Sequence, residues 1–321
     1  MTRIKFDEQT FSVDANETVL DALLRNNQQV SYGCRVGACQ SCLMRSLDNT
    51  PPALSQAGLK ETQQKQNYFL ACLCHPEKEM HITLPNNEIQ WFEGKVIEKR
   101  ALSSNVILLK LQSKQPLAFF AGQFVNLRNQ AGVIRSYSIA NIPNAGHELE
   151  FHLRILPKGK FTRFVADELE IGMSLEFSHA QGNCHYVEGK FAQPLLLIGT
   201  GTGLAPLYGI ILDALKNHKH SGEIHLFHGS RDESGLYFER ELRELERNHP
   251  NFHYTPCLSA ELSSGKYEQG RVNQIALQKF LKLDGWRVFL CGQPDMVLQT
   301  KKMAYLQGAS LKEIFADAFN S

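Results

Sequence analysis

Leu195-Leu196-Leu197-Ile198-Gly199-Thr200-Gly201-Thr202-Gly203-Leu204-Ala205-Pro206 is the stretch from which the rest of the chain can be read. Four consecutive apolar residues suit a strand covered on both faces, the usual condition of a parallel sheet. The glycines after them let the backbone turn sharply and approach an anion, and Pro206 suits the opening of a helix. The uncharged run continues to Leu212, the length of the shortest membrane spans, about 18 residues. Glycine and proline interrupt it at the middle, so strand, loop and helix is the better reading.

The same pattern repeats downstream. Strands expected at 195–198, 224–228, 252–256 and 288–291 alternate with helices near 204–217, 236–247, 271–281 and 294–305. That is a βαβ series and predicts an open parallel sheet with helices on both faces. Upstream the period shortens. Strands at 94–97, 106–111, 124–127, 136–139 and 148–155, separated by turn signals such as Pro143-Asn144-Ala145-Gly146, predict an antiparallel β-barrel with one helix near 162–169. Residues 1–88 begin with alternation at 2–6 and 10–13, which reads as a hairpin. A helix capped by Asn16 and bearing Leu20, Leu23 and Leu24 follows, then a loop with Gly33 and Gly37 and a strand at 81–84. Three domains are expected: an α+β unit at 1–88, an antiparallel barrel at 89–190 and an α/β domain at 191–321.

Bulk properties exclude several classes. At 321 residues, 43% hydrophobic and 21% charged, the chain reads as globular and too long for one core. A net charge of +1 gives no field for nucleic acid. The N-terminus, Met1-Thr2-Arg3-Ile4-Lys5-Phe6-Asp7, has no apolar core of a secretory signal behind it, so a cytoplasmic protein without a membrane span is expected.

Chemistry enters with the cysteines. Tyr32-Gly33-Cys34-Arg35-Val36-Gly37-Ala38-Cys39-Gln40-Ser41-Cys42 is C-x4-C-x2-C, and Cys72 follows with Cys74 beside it. This is the plant-type spacing for a [2Fe–2S] cluster, with glycines that let the loop curl and aim N–H groups at sulfur. A zinc site would pair its ligands as C-x2–4-C twice, and Cys72-x-Cys74 is too tight for that. Residues 1–88 resemble a plant-type ferredoxin domain of β-grasp-like fold. The resemblance implies Cys34, Cys39, Cys42 and Cys72 as iron ligands, with Cys74 a spare thiol.

In the barrel region, Arg135-Ser136-Tyr137-Ser138 has the form R-x-Y-S, with Arg135 and Tyr137 on one side of the strand and Ser138 on the other. An aromatic ring can cover a flavin, an arginine can hold a pyrophosphate bidentately, and a hydroxyl can reach a ring nitrogen. Gly159-Lys160-Phe161-Thr162 opens the helix, a natural phosphate site. Together with the ferredoxin-like unit these motifs resemble the ferredoxin–NAD(P) reductase superfamily. The resemblance implies FAD contacts from Arg135, Tyr137 and Ser138, with Ser138 near the reactive flavin nitrogen, and pyrophosphate contacts from Gly159, Lys160 and Thr162. His179-Ala180-Gln181-Gly182 departs from the Gly-Pro-x-Gly that many members carry there.

The nucleotide loop, with Gly201, Thr202 and Gly203, resembles the family's G-T-G-x-A-P string, and Cys291-Gly292-Gln293-Pro294 its second signature. The resemblance places Cys291 beside the nicotinamide carbon that gives up hydride, with Gly292 and Pro294 in the same loop. His228-Gly229-Ser230-Arg231-Asp232 ends another strand and bears on the adenosine ribose through Ser230 and Arg231. Arg231 would welcome a 2′-phosphate whereas Asp232 and Glu233 would repel it, and NADH is favoured over NADPH. Phe319, in the aromatic tail, either shields the flavin or docks as a hydrophobic end.

The domain order resembles reductase components of bacterial multicomponent oxygenases acting on benzoate, phenol or methane, and iron–sulfur reductases of deoxysugar synthesis. It implies an NAD(P)H-dependent oxidoreductase that moves hydride to FAD, then single electrons through the cluster to a partner protein, an oxygenase component above others. The alternatives are a reductase for a non-oxygenase partner such as a deoxysugar dehydratase, a cluster-bearing redox sensor without turnover, and a zinc-stabilised nucleotide scaffold.

Overall fold

The structure is a computed structural model and describes residues 2–32, 35–37, 40–85, 91–260 and 265–319. It divides into two compact units, Met1–Ile89 and Gln90–Ser321.

The first unit carries β1 (Thr2–Phe6), β2 (Gln9–Val13), α1 (Val19–Arg25), β3 (Leu43–Ser46), α2 (Glu61–Lys65), β4 (Tyr68–Leu70) and β5 (Met80–Thr83). Its mixed sheet has the order β2-β1-β5-β3-β4, with β1 and β5 parallel. Ile4, Phe6, Phe11 and Val13 face inward at period two against Val19, Leu20 and Leu23 of α1. Asn16 does not cap that helix. Its backbone sits at φ 65, and the cap is Thr18, whose hydroxyl accepts from the Asp21 N–H at 3.1 Å and donates to the Asp21 carboxylate at 2.7 Å.

The second unit opens with β6 (Trp91–Ser103), β7 (Val106–Ser113), β8 (Phe124–Arg128), β9 (Ile134–Ser138), β10 (Glu148–Arg154), α3 (Lys160–Asp167) and β11 (Ser174–Ser178). These strands form one antiparallel sheet in the order β10-β7-β6-β11-β8-β9. A bridge between Ile139 and Phe151 brings its two edges together, so the sheet curls into a barrel around Phe151, Phe161 and Phe177.

The rest comprises β12 (Leu195–Thr200), α4 (Leu204–Leu212), β13 (Ile224–Ser230), α5 (Glu239–Asn248), β14 (Phe252–Leu258), β15 (Glu268–Gln269), α6 (Val272–Lys279), β16 (Arg287–Gly292), α7 (Pro294–Leu306) and β17 (Ile314–Ala318). All six strands are parallel in the order β15-β14-β13-β12-β16-β17. The order reverses between β12 and β16, and the crevice at the carboxyl ends of those strands is where such sheets bind ligands. Among the described residues no helix is long and apolar enough to cross a membrane. The uncharged run from Leu195 is split between β12 and α4.

Candidate functional site

One cavity of about 1340 Å³ lies in the second unit and is lined by both the barrel and the parallel sheet. From the barrel come all of β9, residues 134–138, together with Arg154, Gly159, Lys160 and Thr162. β9 is an edge strand, bonded only to β8 within the sheet, and its whole length borders the open space. Tyr137 packs on Phe161 with ring centroids 5.5 Å apart, and burial raises the pKa of its hydroxyl. Ser138 is buried, and Ser136 donates to the Asn126 side chain at 2.6 Å. Gly159 begins α3 in extended backbone, and the Thr162 hydroxyl accepts from the Leu156 N–H at 3.2 Å. The first-turn N–H groups of α3 have no intrahelical acceptor, so their partial positive charge adds to Arg135, Arg154 and Lys160.

The sheet contributes its strand ends: Thr200, Gly201 and Thr202 after β12, Ser230 and Arg231 after β13, Gly292 and Pro294 after β16, and Phe319 after β17. Two glycines fix how these ends meet. A Cβ on Gly203 would collide with the Cys291 carbonyl, so the nucleotide loop sits directly on the end of β16. Gly292 has φ +124, a conformation open to glycine, and a side chain there would strike Thr200. The Thr200 hydroxyl accepts from the Gln293 N–H at 3.0 Å, and the Phe319 N–H donates to the Gly292 carbonyl at 2.8 Å. Gly203 and Cys291 are the two expected nucleotide residues that do not themselves line the cavity. Cys291 is fully buried one residue behind it, its sulfur 3.6 Å from that of Cys184, and burial pushes its thiol pKa up.

In the first unit Cys42 and Cys72 are buried, and the Ala71 N–H donates to the Cys42 carbonyl at 3.0 Å, which draws the two cysteine segments together. Cys34 and Cys39 lie outside the described residues. Cys74 has no exposed surface, and burial pushes its thiol up to about 12.

Comparison with known proteins bears on this geometry. The chain matches the 2Fe-2S iron-sulfur cluster binding domain over residues 3–77, the oxidoreductase FAD-binding domain over 93–186 and the oxidoreductase NAD-binding domain over 197–302. It is 31% identical to the ferredoxin–NAD(P)(+) reductase component of the naphthalene 1,2-dioxygenase system of Pseudomonas putida, covering 96% of this chain and 94% of that one. The chain belongs to the ferredoxin–NAD(P) reductase family with an N-terminal ferredoxin domain. It is also 26% identical to the CDP-6-deoxy-L-threo-D-glycero-4-hexulose-3-dehydrase reductase of Yersinia pestis, covering 96% of this chain and 95% of the other. The crystal structure of an Amycolatopsis cytochrome P450 reductase superposes with a TM-score of 0.70 at 28% identity over 99% of both chains. The reductase is an NAD(P)H-dependent oxidoreductase whose cofactors are a [2Fe–2S] cluster, FAD and NAD(H).

The reductase's own residues suit those groups. The cationic α3 entrance and the arginines match a pyrophosphate, Tyr137 offers a flat face, and the glycine loop of the parallel sheet matches a second dinucleotide. Buried cysteine sulfur suits iron. The cavity lining also includes residues that sequence reasoning missed, among them His152, Arg154, Arg271, Asn273 and Asp317. Arg154 ends β10 and Asp317 pairs in register with Cys291, positions that only the strand order reveals. Arg271 precedes α6 and carries no motif.

Proposed function

We propose that the reductase draws electrons from NADH and delivers them to an oxygenase component through its own iron–sulfur cluster. The observation that carries this reading is the shared cavity, where an anion-binding helix entrance on the barrel and the strand-end loops of the parallel sheet line the same space. When bound, the flavin takes up a hydride and the cluster takes single electrons, so a two-electron donor becomes a one-electron supply.

The chain's own groups then divide the work. Arg135, Gly159, Lys160 and Thr162 would hold the FAD pyrophosphate, Tyr137 would offer its ring face to the flavin, and the Ser138 hydroxyl would serve as a hydrogen-bonding group for a flavin ring nitrogen. Gly201, Thr202 and Gly203 hold the nicotinamide nucleotide's pyrophosphate, while Cys291, Gly292 and Pro294 shape the nicotinamide end. Ser230 and Arg231 meet the adenosine ribose, and Asp232 disfavours a 2′-phosphate, which supports NADH over NADPH. Phe319 covers the flavin edge. Cys34, Cys39, Cys42 and Cys72 hold the irons, the thiolate set of a reducing, cytoplasmic compartment. The domain limits fall near residues 88 and 190.

A dehydratase partner is the second reading, favoured by the near-complete alignment with the Yersinia reductase. The purified protein should show flavin and broad [2Fe–2S] absorption, both bleaching under anaerobic NADH. Adding an oxygenase component should speed NADH oxidation several-fold. A colourless protein refutes the reading, and stimulation by a dehydratase but by no oxygenase refutes the partner choice.

A further inference from the structure

Along the wall of the cavity, which His152 itself lines, runs a chain of polar groups that none of the motifs include. Lys110 on β7 reaches the Glu150 carboxylate on β10 at 3.5 Å, and the other oxygen of Glu150 lies 3.0 Å from Nε2 of His152. Nδ1 of His152 lies 3.1 Å from the hydroxyl of Tyr237, which belongs to the parallel-sheet half of the unit. The chain therefore crosses from the barrel to the nucleotide-binding half.

Its direction follows from the partners. Burial lowers the His152 pKa, more than Glu150 raises it, so the ring is neutral at physiological pH. Burial acts to raise the pKa of Glu150, but the His152 and Lys110 contacts hold its carboxyl below the usual range. An ionised carboxylate takes a proton donor, so Nε2–H donates to Glu150 and Nδ1 accepts the Tyr237 O–H.

The surroundings make His152 a plug in a socket. Its ring meets Tyr237 and Phe238 edge-on, with centroids 5.2 and 4.8 Å away, and tilts toward Tyr208 of α4 at 6.5 Å. Phe238 sits at φ 58, a left-handed backbone that is rare for a bulky non-glycine residue and survives only where packing enforces it. Tyr237 in turn meets the ring of His228 edge-on at 5.7 Å, and His228 Nε2 is 3.1 Å from the Gly201 carbonyl in the nucleotide loop.

We propose that His152 is a positioning residue: through Tyr237 and His228 it fixes where the nucleotide loop sits relative to the barrel, and so the approach of nicotinamide to flavin. This rests on the proposed function of the cavity. Hydride transfer is steep in distance, and a displacement of about 1 Å can cost roughly a hundredfold, so even a small loosening of the seam is measurable.

Tyr237→Phe removes only the hydroxyl and keeps every ring contact. In stopped-flow reduction by NADH it should slow flavin bleaching about tenfold, a fraction of the full misplacement penalty, with flavin content and the KM for NADH within twofold of wild type. His152→Phe should give the same loss, and the double variant should be no slower than either single, because one linkage is broken in all three. In flavin-free protein, amide hydrogen exchange over residues 200–212 should quicken in both variants. An unchanged bleaching rate overturns the inference, as does slower bleaching with unchanged exchange at 200–212. The exchange arm uses neither flavin nor NADH. A wild-type protein unable to oxidise NADH would sink the proposed function, and the exchange comparison would still decide the seam.

Discussion

Arg287→Met tests how the end of the nucleotide sheet is held. Arg287 opens β16, the strand that carries Cys291 and Gly292, and is only 1% exposed. Its Nε donates to Glu313 at 2.7 Å, one Nη donates to the Val187 carbonyl at 3.3 Å, and the guanidinium lies 5.4 Å from the Phe315 ring. Glu313 also receives Lys190 at 2.7 Å and is partly solvated, with 17% of its side chain exposed. Removing one member of a buried ion pair costs about 3–5 kcal/mol, and Glu313's remaining partner sets the expectation near the lower end, about 3 kcal/mol. For a unit of this size each kcal/mol moves the melting point by about 2–4 °C, so flavin release on heating should occur about 6–12 °C earlier. Arg287→Met with Glu313→Leu should recover most of the loss, since an apolar pair has no uncompensated charge. Burial acts to raise the Glu313 pKa, but Arg287 and Lys190 hold it below the usual carboxylate range. The stabilisation is therefore complete above the unfolded carboxylate pKa, about 4.3, and is lost as pH falls through the lower folded value. The gap between wild type and Arg287→Met should close over that acid range. A drop under about 2 °C at pH 7, less than one kcal/mol on this scale, or a double variant weaker than the single, refutes the reasoning.

The remaining expectations concern the cofactors. Cys72→Ser should abolish the [2Fe–2S] absorption while Cys74→Ser leaves it, and the reverse pattern in visible spectra would exchange their roles. Arg135→Ala should purify with less FAD than wild type; equal flavin-to-protein ratios would remove Arg135 from the site. Gly203→Ala pushes a methyl group into the Cys291 carbonyl, an overpacking worth about 1–3 kcal/mol. It should raise the Kd for NADH about fivefold or more with flavin content intact, and calorimetry showing wild-type affinity would contradict the close approach.

Local chemistry was legible in the sequence wherever one segment carries it whole. The all-apolar run at 195–198 became the central strand β12, because a strand buried on both faces needs no alternation. Period-two reading gave 94–97 where β6 spans Trp91–Ser103, since register shifts between Val96 and Glu98 and between Ala101 and Ser103 break the alternation. β11 was missed because Leu175 and Phe177 are too few to stand out, and β17 because its strand character depends on lying beside β16. Asn16 looked like a helix cap by residue type alone, whereas Thr18 at the cap position and Asp21 in the first turn form a reciprocal pair at the helix start.

The cavity was less legible for a physical reason. Its walls include β9 along its whole length and the ends of β10, β12, β13, β16 and β17, brought together by a strand order that no short segment encodes. Sequence motifs name side chains, yet Gly203 and Gly292 act by having none: each lets one backbone segment press on another at the junction of β12 and β16. Cys291 sits inside that junction with its sulfur against Cys184, so its motif is first a statement about how closely two strand ends approach. Substitutions that enlarge either glycine should therefore disturb nucleotide binding more than loss of the Cys291 sulfur does, because the backbone contact, and not the thiol, sets the shape of the cavity wall.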